Sequence, residues 1–193
     1  MEVENRKPKV FIFAGHARSG KNTCADFVKD YCAKNDLKYI DLAYSSYIKN
    51  YATKISNWDG REETKPRELL QQLGTNIIRN KLGDEFFIEN IIKDIKVYSF
   101  FFDVITISDA RFPKEIDLIK KEFPNVYAVH VVRPNFDNGL TEAQKNHPTE
   151  TALDNYENYD YEIINDGTED DLNNKVIKMT KEYLWVRMLK IYI

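Results

Sequence analysis

The sequence has little cysteine and no long apolar run. Its two cysteines, Cys24 and Cys32, have no histidine nearby in a metal-binding pattern, so neither a disulfide framework nor a zinc site is indicated. We interpret both as reduced thiols on the buried side of a helix. No stretch approaches the ~20 apolar residues of a membrane span, and the first residues lack the apolar core of a signal peptide. We therefore expect a cytoplasmic protein that has no membrane partner.

An excess of charge of one sign is also lacking, because 28 Lys and Arg residues face 31 Asp and Glu residues and leave a net charge of -3. Binding to the phosphate backbone of a nucleic acid needs a basic face, so we expect no nucleic-acid partner. No repeat, low-complexity segment or linker interrupts the chain, and its 193 residues suit one domain. We expect a single domain over residues 1–193, with a loose polar tail at residues 1–9.

Apolar runs alternate with amphipathic helical patterns along the chain. The runs predict strands at residues 10–14, 39–43, 101–108, 126–132 and 161–165. The helical patterns predict helices at residues 24–32, 44–55, 67–81, 85–97 and 114–122, and after residue 168. This order predicts an α/β fold in three layers, with a parallel sheet of about five strands flanked by helices. Residues 133–149 form a polar stretch longer than most loops, which is typical of a lid.

A glycine-rich loop stands between the first strand and the first helix. Residues 15–21 read Gly-His-Ala-Arg-Ser-Gly-Lys, which is the pattern G-x-x-x-x-G-K in the strand–loop–helix context that a P-loop requires. Backbone N–H groups and the helix N-terminus hold phosphates there, and Lys21 reaches the β- and γ-phosphates of a nucleoside triphosphate. The residues expected to bind this nucleotide are Gly15, Arg18, Ser19, Gly20, Lys21, Asn22 and Thr23.

Magnesium binding is harder to assign. Asn22 occupies the position after the loop lysine, where a Ser or Thr hydroxyl usually binds Mg²⁺. The ion is then held through water, by the Asn22 oxygen, or by carboxylates elsewhere. Asp109 comes at the end of the 101–108 strand, where a carboxylate that orients Mg²⁺ is expected. The alternative is an ion pair between Asp109 and Arg111 that fixes the turn.

Arginines from several elements converge on the same edge of the sheet. In open α/β sheets, ligands bind outside the carboxyl ends of the strands. Arg111 and Arg133 each follow such an end, and Arg67 and Arg79 are expected on the polar face of one helix. Because phosphoryl transfer depends on positioning and on neutralising charge, this convergence indicates a phosphoryl transferase.

Four stretches of the sequence resemble one known family. They read GHARSGKNT at residues 15–23, TKPRELLQQLGT at residues 64–75, SDARFP at residues 108–113, and HPTE at residues 147–150 with IINDGT at residues 163–168. Together they are similar to the bacteriophage-type deoxynucleoside monophosphate kinases, in the same order and over nearly the whole chain. The sequence departs from the family at Asn22, where Asp is frequent, and at Lys114, where Asn is frequent.

The resemblance implies transfer of the γ-phosphoryl group of ATP, with Mg²⁺, to a (deoxy)nucleoside 5′-monophosphate. We expect catalytic roles for Lys21, Arg18, Asp109, Arg111 and Arg133, and Asn22 and Asp109 are the candidate metal ligands. The resemblance implies acceptor binding by Arg67 on the phosphate, by Gln71 on the base or sugar, and by Arg79, Arg111, His147 and Glu150. From the residues alone, Arg67 and Gln71 equally suit a solvated helix face, and His147 and Glu150 suit a helix cap. His130, inside a strand, is expected in the core.

Other functions remain open at this point. A kinase that phosphorylates another small phosphorylated metabolite would share the same motifs, and Asn22 is compatible with a nucleotide-binding interaction protein that transfers nothing. A DNA-translocating ATPase is disfavoured, because the chain is short and mildly acidic. We expect a small-molecule nucleotide as the partner and a monomer or homodimer as the assembly. The motifs do not specify the base or the sugar of the acceptor, or a phage or bacterial origin.

Overall fold

The computed structural model describes residues 4–189. The strands are β1 (Lys9–Ala14), β2 (Tyr39–Leu42), β3 (Val104–Ala110), β4 (Val126–Val132) and β5 (Tyr161–Ile164). The helices are α1 (Lys21–Lys34), α2 (Tyr44–Ser56), α3 (Arg67–Gln71), α4 (Phe86–Tyr98), α5 (Pro113–Glu122), α6 (Glu142–Lys145), α7 (Pro148–Thr151) and α8 (Glu169–Leu189). Gln72–Leu82 continues α3 as a π-helix, whose hydrogen bonds span five residues.

The described strands form one parallel sheet in the order β2-β3-β1-β4-β5. β1 lies at the centre between β3 and β4, and all of its residues are buried. Burial on both faces explains why its sequence is apolar almost throughout instead of alternating. The predicted α/β fold with a five-stranded parallel sheet is confirmed.

Helices cover both faces of the sheet. On one face, α2, α4 and α5 contribute Tyr44, Ile91 and Ile116 to the core. On the other face, α1 and α8 contribute Val28 and Val176. The sheet is therefore the middle of three layers, and the carboxyl ends of its parallel strands meet at a single edge, where the loops of the site are found.

The third strand lies further along the chain than expected. The apolar run at residues 101–108 predicts a strand there, but β3 covers Val104–Ala110. The backbone N–H groups of Phe101 and Phe102 donate to the carbonyl of Tyr98, so these aromatic residues form a turn at the end of α4. As a result, Asp109 lies within β3 and not after it.

The helix predicted over residues 67–81 is only partly α-helical. Its α-helical part ends at Gln71, and the π-helix follows. Residues four apart share a face in an α-helix, but a π-helix has more residues in each turn. Arg67 and Gln71 are exposed, whereas Arg79 is half-buried and is the one of the three that reaches the site described below.

The amino-terminal segment is anchored where it is described. The guanidinium of Arg6 donates to the Asp103 carboxylate at 2.9 Å, and Lys9 is the first residue of β1. Residues 1–3 of the predicted tail lie outside the described residues. Within the predicted tail, the backbone N–H of Arg6 also donates to the carbonyl of Ser99, and Lys9 already belongs to β1, one residue before the apolar pattern begins.

Cys24 and Cys32 are buried free thiols on α1, as expected. Burial raises the pKa of each thiol to about 12, so neither is a reactive thiolate at neutral pH. Between residues 4 and 189, we find no helix long and apolar enough to cross a bilayer.

Candidate active site

A cleft of about 910 Å³ opens at the carboxyl edge of the sheet. Its walls come from the phosphate loop, α2, the α3 region, the end of β3 and the loop after β5. Its Lys and Arg residues are Arg18, Lys21, Lys49, Lys65, Arg79, Arg111 and Arg133. Its acidic residues are Asp109, Glu115 and Glu169. The excess of cations suits an anionic ligand, and the volume lies at the upper end of the ~300–1,000 Å³ range of small-molecule sites.

The phosphate loop needs glycine at both ends. Gly15 has a φ of +139° and Gly20 has a φ of +110°, a region that side chains rarely adopt. A Cβ on Gly15 would lie 2.4 Å from the carbonyl oxygen of Val131, and one on Gly20 would lie 2.8 Å from Asn165 Nδ2. The loop is therefore packed against the ends of β4 and β5, with its curvature fixed by the two glycines.

Lys21 is buried under this loop. Its ammonium group donates to the carbonyl oxygens of Gly15 at 2.9 Å and His16 at 2.6 Å. The pKa of Lys21 falls from its usual 10.5 to about 7, first because of burial and second because of the Arg111 charge, while Glu150 and Asp109 act in the opposite direction. A bound anion would restore the charged form of Lys21.

Ser19 supplies a second indication of a ligand. Its side chain is buried, and in the described part of the chain we find no hydrogen-bond partner for its Oγ. A buried hydroxyl without a partner is costly. A phosphate oxygen at the loop would satisfy this group.

Arg111 and Glu150 join the loop to the lid region. Arg111 Nη1 donates to Glu150 Oε1 at 2.8 Å, and Glu150 Oε2 accepts the backbone N–H of Ala17 at 2.7 Å. Glu150 comes from α7, so one carboxylate connects α7, the phosphate loop and the end of β3. The structure thus brings the Glu150 carboxylate to Arg111 and the phosphate loop, but Glu150, which the sequence predicts for acceptor binding, does not itself line the cleft.

Asp109 does not pair with Arg111, which was the alternative to its metal role. Its two carboxylate oxygens accept the backbone N–H groups of Tyr44 and Ser45 at 2.9 and 3.0 Å. These groups begin α2, so Asp109 fixes that helix end beside the phosphate loop. The side chain also lines the cleft.

Arg79 enters the cleft from the π-helix. Its Nη2 donates to Glu115 Oε1 at 3.2 Å, and its guanidinium lies over the rings of Phe112 at 4.5 Å and Phe87 at 5.6 Å.

Sequence reasoning missed Glu115, because an acid in the first turn of a helix resembles an ordinary cap. It also missed Lys49 and Lys65, which resemble solvated surface lysines.

Three residues that the sequence predicts for acceptor binding lie elsewhere. The Arg67 side chain is 72% exposed and pairs with Glu62, and neither Arg67 nor Gln71 lines the cleft. His147 is the N-cap of α7, where its Nδ1 accepts the backbone N–H of Thr149. For His147, the helix cap is therefore the arrangement that the structure shows.

The lid region borders a second, smaller cavity of about 430 Å³ next to the phosphate loop. Arg133 lines both cavities, with its guanidinium 3.7 Å from the centre of the Phe136 ring. Arg18 donates to the carbonyl of Asn138 at 2.7 Å. His130 also lines this cavity, and its ring stacks on that of Tyr159. Because the ring is only half-buried, the prediction that His130 is a core residue is wrong.

The remaining predicted nucleotide-binding residues, Asn22 and Thr23, lie in the first turn of α1 and line the cleft. Between residues 4 and 189, there is no group of three or more His, Cys, Asp or Glu side chains that could hold a metal ion. A metal ion at this site would therefore depend on ligand oxygens as well as on the protein.

Most of the chain is similar to known proteins. Residues 34–176 match the model of the deoxynucleotide monophosphate kinase family. A protein of Acanthamoeba polyphaga mimivirus, provisionally named a deoxynucleotide monophosphate kinase, is 25% identical over 190 residues, which cover 84% of this chain and 91% of that protein. The family match begins after the phosphate loop, so the loop is identified by its own sequence and geometry.

Solved structures of P-loop kinases share the fold. The APS kinase of Mycobacterium tuberculosis, in complex with AMPPNP and APS, has a TM-score of 0.60 at 12% identity and covers 91% of this chain and 98% of its own. The dephospho-CoA kinase from Campylobacter jejuni has a TM-score of 0.52 at 13% identity, with 92% and 98% covered. These likenesses show the fold alone. Since the family model matches more than half of the sequence, the chain belongs to the deoxynucleotide monophosphate kinase family.

Proposed function

We propose that the protein transfers the γ-phosphoryl group of ATP to a (deoxy)nucleoside 5′-monophosphate, which gives the diphosphate. One observation carries the proposal. A single cleft joins Lys21 of the phosphate loop to Arg79 and Arg111, which come from two other elements. Two anionic nucleotides that react in line need cations from several directions, because catalysis here is mostly positioning and charge neutralisation.

The donor nucleotide is assigned to the phosphate loop. Lys21 would exchange its contacts with the loop carbonyls for the β- and γ-phosphates, and Ser19 Oγ would gain a partner. The loop after β5, with Asn165 and Gly167, forms the adjacent wall of the cleft. Arg18 and Arg133 stand at the rim, on the side of the lid region, where they would neutralise charge on the transferred group.

The acceptor is assigned to the opposite side of the cleft. Arg79 and Arg111 would hold its phosphate, and Arg111 would also neutralise charge on the transferred group in the transition state. Ile48, Leu70 and Phe87 supply apolar surface for the base or sugar. Lys49 and Lys65 add positive charge at this side. Because Arg67 and Gln71 lie outside the cleft, the proposal does not assign them to the acceptor.

The residues present are compatible with Mg²⁺. In nucleotide enzymes this ion is commonly held by one or two carboxylates, water and the substrate phosphates, so a cage of protein ligands is not required. Asp109 and Asn22 line the cleft beside the phosphate loop and are the residues that would hold it. When bound, the ion would neutralise charge on the donor phosphates.

The segment at residues 133–149 is proposed to act as a lid. It already contacts the phosphate loop through Arg18 and Asn138, and Glu150 joins its end to Ala17. Closure would exclude water, so that a phosphate oxygen of the monophosphate, and not water, receives the transferred group.

A coupled ADP-release assay tests the proposal, with ATP, Mg²⁺ and each common nucleoside or deoxynucleoside monophosphate added in turn. We expect ADP release that depends on one or a few of these acceptors. If none stimulates release while calorimetry shows intact ATP binding, the nucleotide acceptor is refuted, and a different phosphorylated acceptor or a protein that only binds nucleotide becomes the better account.

Nucleotide binding is expected to take up a proton above about pH 7. The ammonium form of Lys21 is favoured by bound phosphates, so its pKa should rise on binding from the value of about 7 in the free protein. Below this pH the group is already charged and no uptake by Lys21 is expected. Above it, affinity should fall with rising pH, by up to about tenfold for each unit.

Calorimetry in buffers of different ionisation enthalpy measures this uptake. At about pH 8, where the terminal phosphate of ATP is mostly ionised, we expect close to one proton for the wild type and none for Lys21→Ala. Equal uptake in both proteins, or none in either, would show that Lys21 does not change its protonation.

Replacing each of two arginines on the same helical segment is expected to change the KM for the monophosphate by different amounts. Arg79→Ala should raise the KM for the monophosphate by about tenfold or more, because it removes a charged donor from the cleft. Arg67→Ala should change that KM by less than about twofold, as expected for an exposed pair. Steady-state kinetics with each nucleotide varied in turn gives both values. A larger effect of Arg67→Ala would mean that the acceptor binds outside the cleft described above.

A further inference from the structure

Glu115 is a buried acid beside the two arginines of the cleft. The residue lies in the first turn of α5 and is only 2% exposed. Its two carboxylate oxygens have separate partners. Oε1 accepts Arg79 Nη2 at 3.2 Å, whereas Oε2 accepts the backbone N–H groups of Arg111 at 2.7 Å and Phe112 at 3.1 Å. One carboxylate thus contacts the guanidinium of one arginine and the backbone of the other.

Helix capping explains only part of this arrangement. An acid at the third position of a helix commonly bonds backbone N–H groups that precede it, and Oε2 of Glu115 does so. Oε1 has no such role, because it faces the π-helix and bonds a side chain from it. Burial raises the pKa of Glu115, and the contacts with Arg111 and Arg79 oppose that shift. A second, specific function for this oxygen is therefore indicated.

The Arg79 side chain is held on more than one side. Besides the bond to Glu115, its guanidinium lies over the rings of Phe112 and Phe87. A free arginine side chain loses substantial conformational entropy when a ligand immobilises it. An arginine that is fixed in the free protein does not incur this cost when the ligand binds. The same carboxylate keeps the backbone at Arg111 in place, and both arginines line the cleft.

We propose that Glu115 is a positioning residue for the acceptor: it holds Arg79 and Arg111 toward the cleft before the monophosphate binds. This inference rests on the proposed function, in which Arg79 and Arg111 bind the phosphate of the nucleoside monophosphate. Glu115 itself contacts no substrate and acts through Arg79 and Arg111.

Glu115→Gln separates the two roles of the carboxylate. Glutamine has one acceptor oxygen and an NH₂ group that only donates. If its oxygen keeps the cap of α5, its NH₂ group faces Arg79 and cannot accept a hydrogen bond from it. We expect the KM for the monophosphate to rise by about tenfold, while the KM for ATP changes by less than about twofold. Glu122→Gln is the matched control, since Glu122 is an exposed residue on the same helix that pairs with Lys96; both KM values should be unchanged.

A double mutant shows whether Glu115 acts through Arg79. In an Arg79→Ala background, Glu115→Gln should cause little further rise in the acceptor KM, because the interaction that it disrupts is already absent. Full additivity of the two changes would overturn the proposal. A parallel rise of both KM values with a lower Tm would also overturn it, because a helix cap without a positioning role predicts that result.

A spectroscopic measurement is independent of catalysis. The ¹⁵N signals of the Arg79 guanidinium, identified by their absence in Arg79→Ala, report how freely this group rotates. We expect restricted rotation in the wild type and faster rotation in Glu115→Gln. Equal rotation in both overturns the positioning role. If the wild type shows no turnover, the proposed function is refuted, but the rotation of the Arg79 guanidinium can still be measured. Failure of the proposed function and failure of the positioning role are therefore distinguishable.

Discussion

Lys21→Ala is expected to reduce phosphoryl transfer by about 10²–10³-fold or more and to weaken ATP binding. The ammonium group lies under the phosphate loop, with the carbonyl oxygens of Gly15 and His16 as its partners in the free protein. No other lysine reaches these carbonyls in the described residues, and Arg111 Nη1 meets only the Gly15 carbonyl, at 3.5 Å, so the ammonium is not replaced at the same place. Steady-state kinetics gives the change in kcat, and calorimetry gives the change in affinity.

The control for this change is Lys29→Ala. Lys29 lies on the same helix as Lys21 but is exposed to solvent and does not line the cleft. We expect its replacement to leave both kcat and ATP affinity within about twofold, as surface changes usually do. Near-normal turnover in Lys21→Ala, with an unchanged Lys29→Ala control, would refute the assignment of the phosphate loop.

Arg111→Ala is expected to have a comparable effect, with kcat lower by about 10³-fold, the lower end of what a transition-state arginine contributes. Two losses combine here. The guanidinium that lines the cleft disappears, and Glu150, which also accepts the Ala17 N–H of the phosphate loop, loses its cationic partner. A residue that acts mainly in the transition state lowers kcat more than it raises KM, so we expect the larger change in kcat.

Arg61→Ala is the matched control for Arg111→Ala. Arg61 is an exposed arginine that pairs with Asp59 and does not line the cleft. It should show wild-type kinetics. If Arg111→Ala keeps kcat within about threefold of the wild type, the charge neutralisation at the end of β3 must come from another residue, and the catalytic role of Arg111 is wrong.

The fold and the phosphate loop could be predicted because their signals are local. A strand that is buried on both faces is apolar throughout, as Phe11, Ile12 and Phe13 show in β1. The loop combines Gly15, Gly20 and Lys21 at fixed spacing between a strand and a helix, and its geometry has the positive φ angles that only glycine adopts easily. These features need no knowledge of distant contacts.

Other parts of the site depend on contacts that are distant in sequence. The pattern of residues 67–81 does not reveal the change to π-helical hydrogen bonding, and it does not show that Arg79 lies in the cleft while Arg67 lies outside it. The pairing of Arg111 with Glu150 depends on where α7 packs, and the bond between Arg79 and Glu115 joins two helices. Sequence motifs identified most of these residues but could not say which of them meet.

Direct transfer of label tests the central claim. ATP labelled at the γ-phosphate is incubated with the protein, Mg²⁺ and the monophosphate that gives the fastest ADP release, and the products are separated. We expect the label to appear in the nucleoside diphosphate of the acceptor, and we expect Lys21→Ala to abolish its appearance. Label found only in inorganic phosphate, with none in a diphosphate, would show that water is the acceptor and would contradict the assignment of a monophosphate kinase.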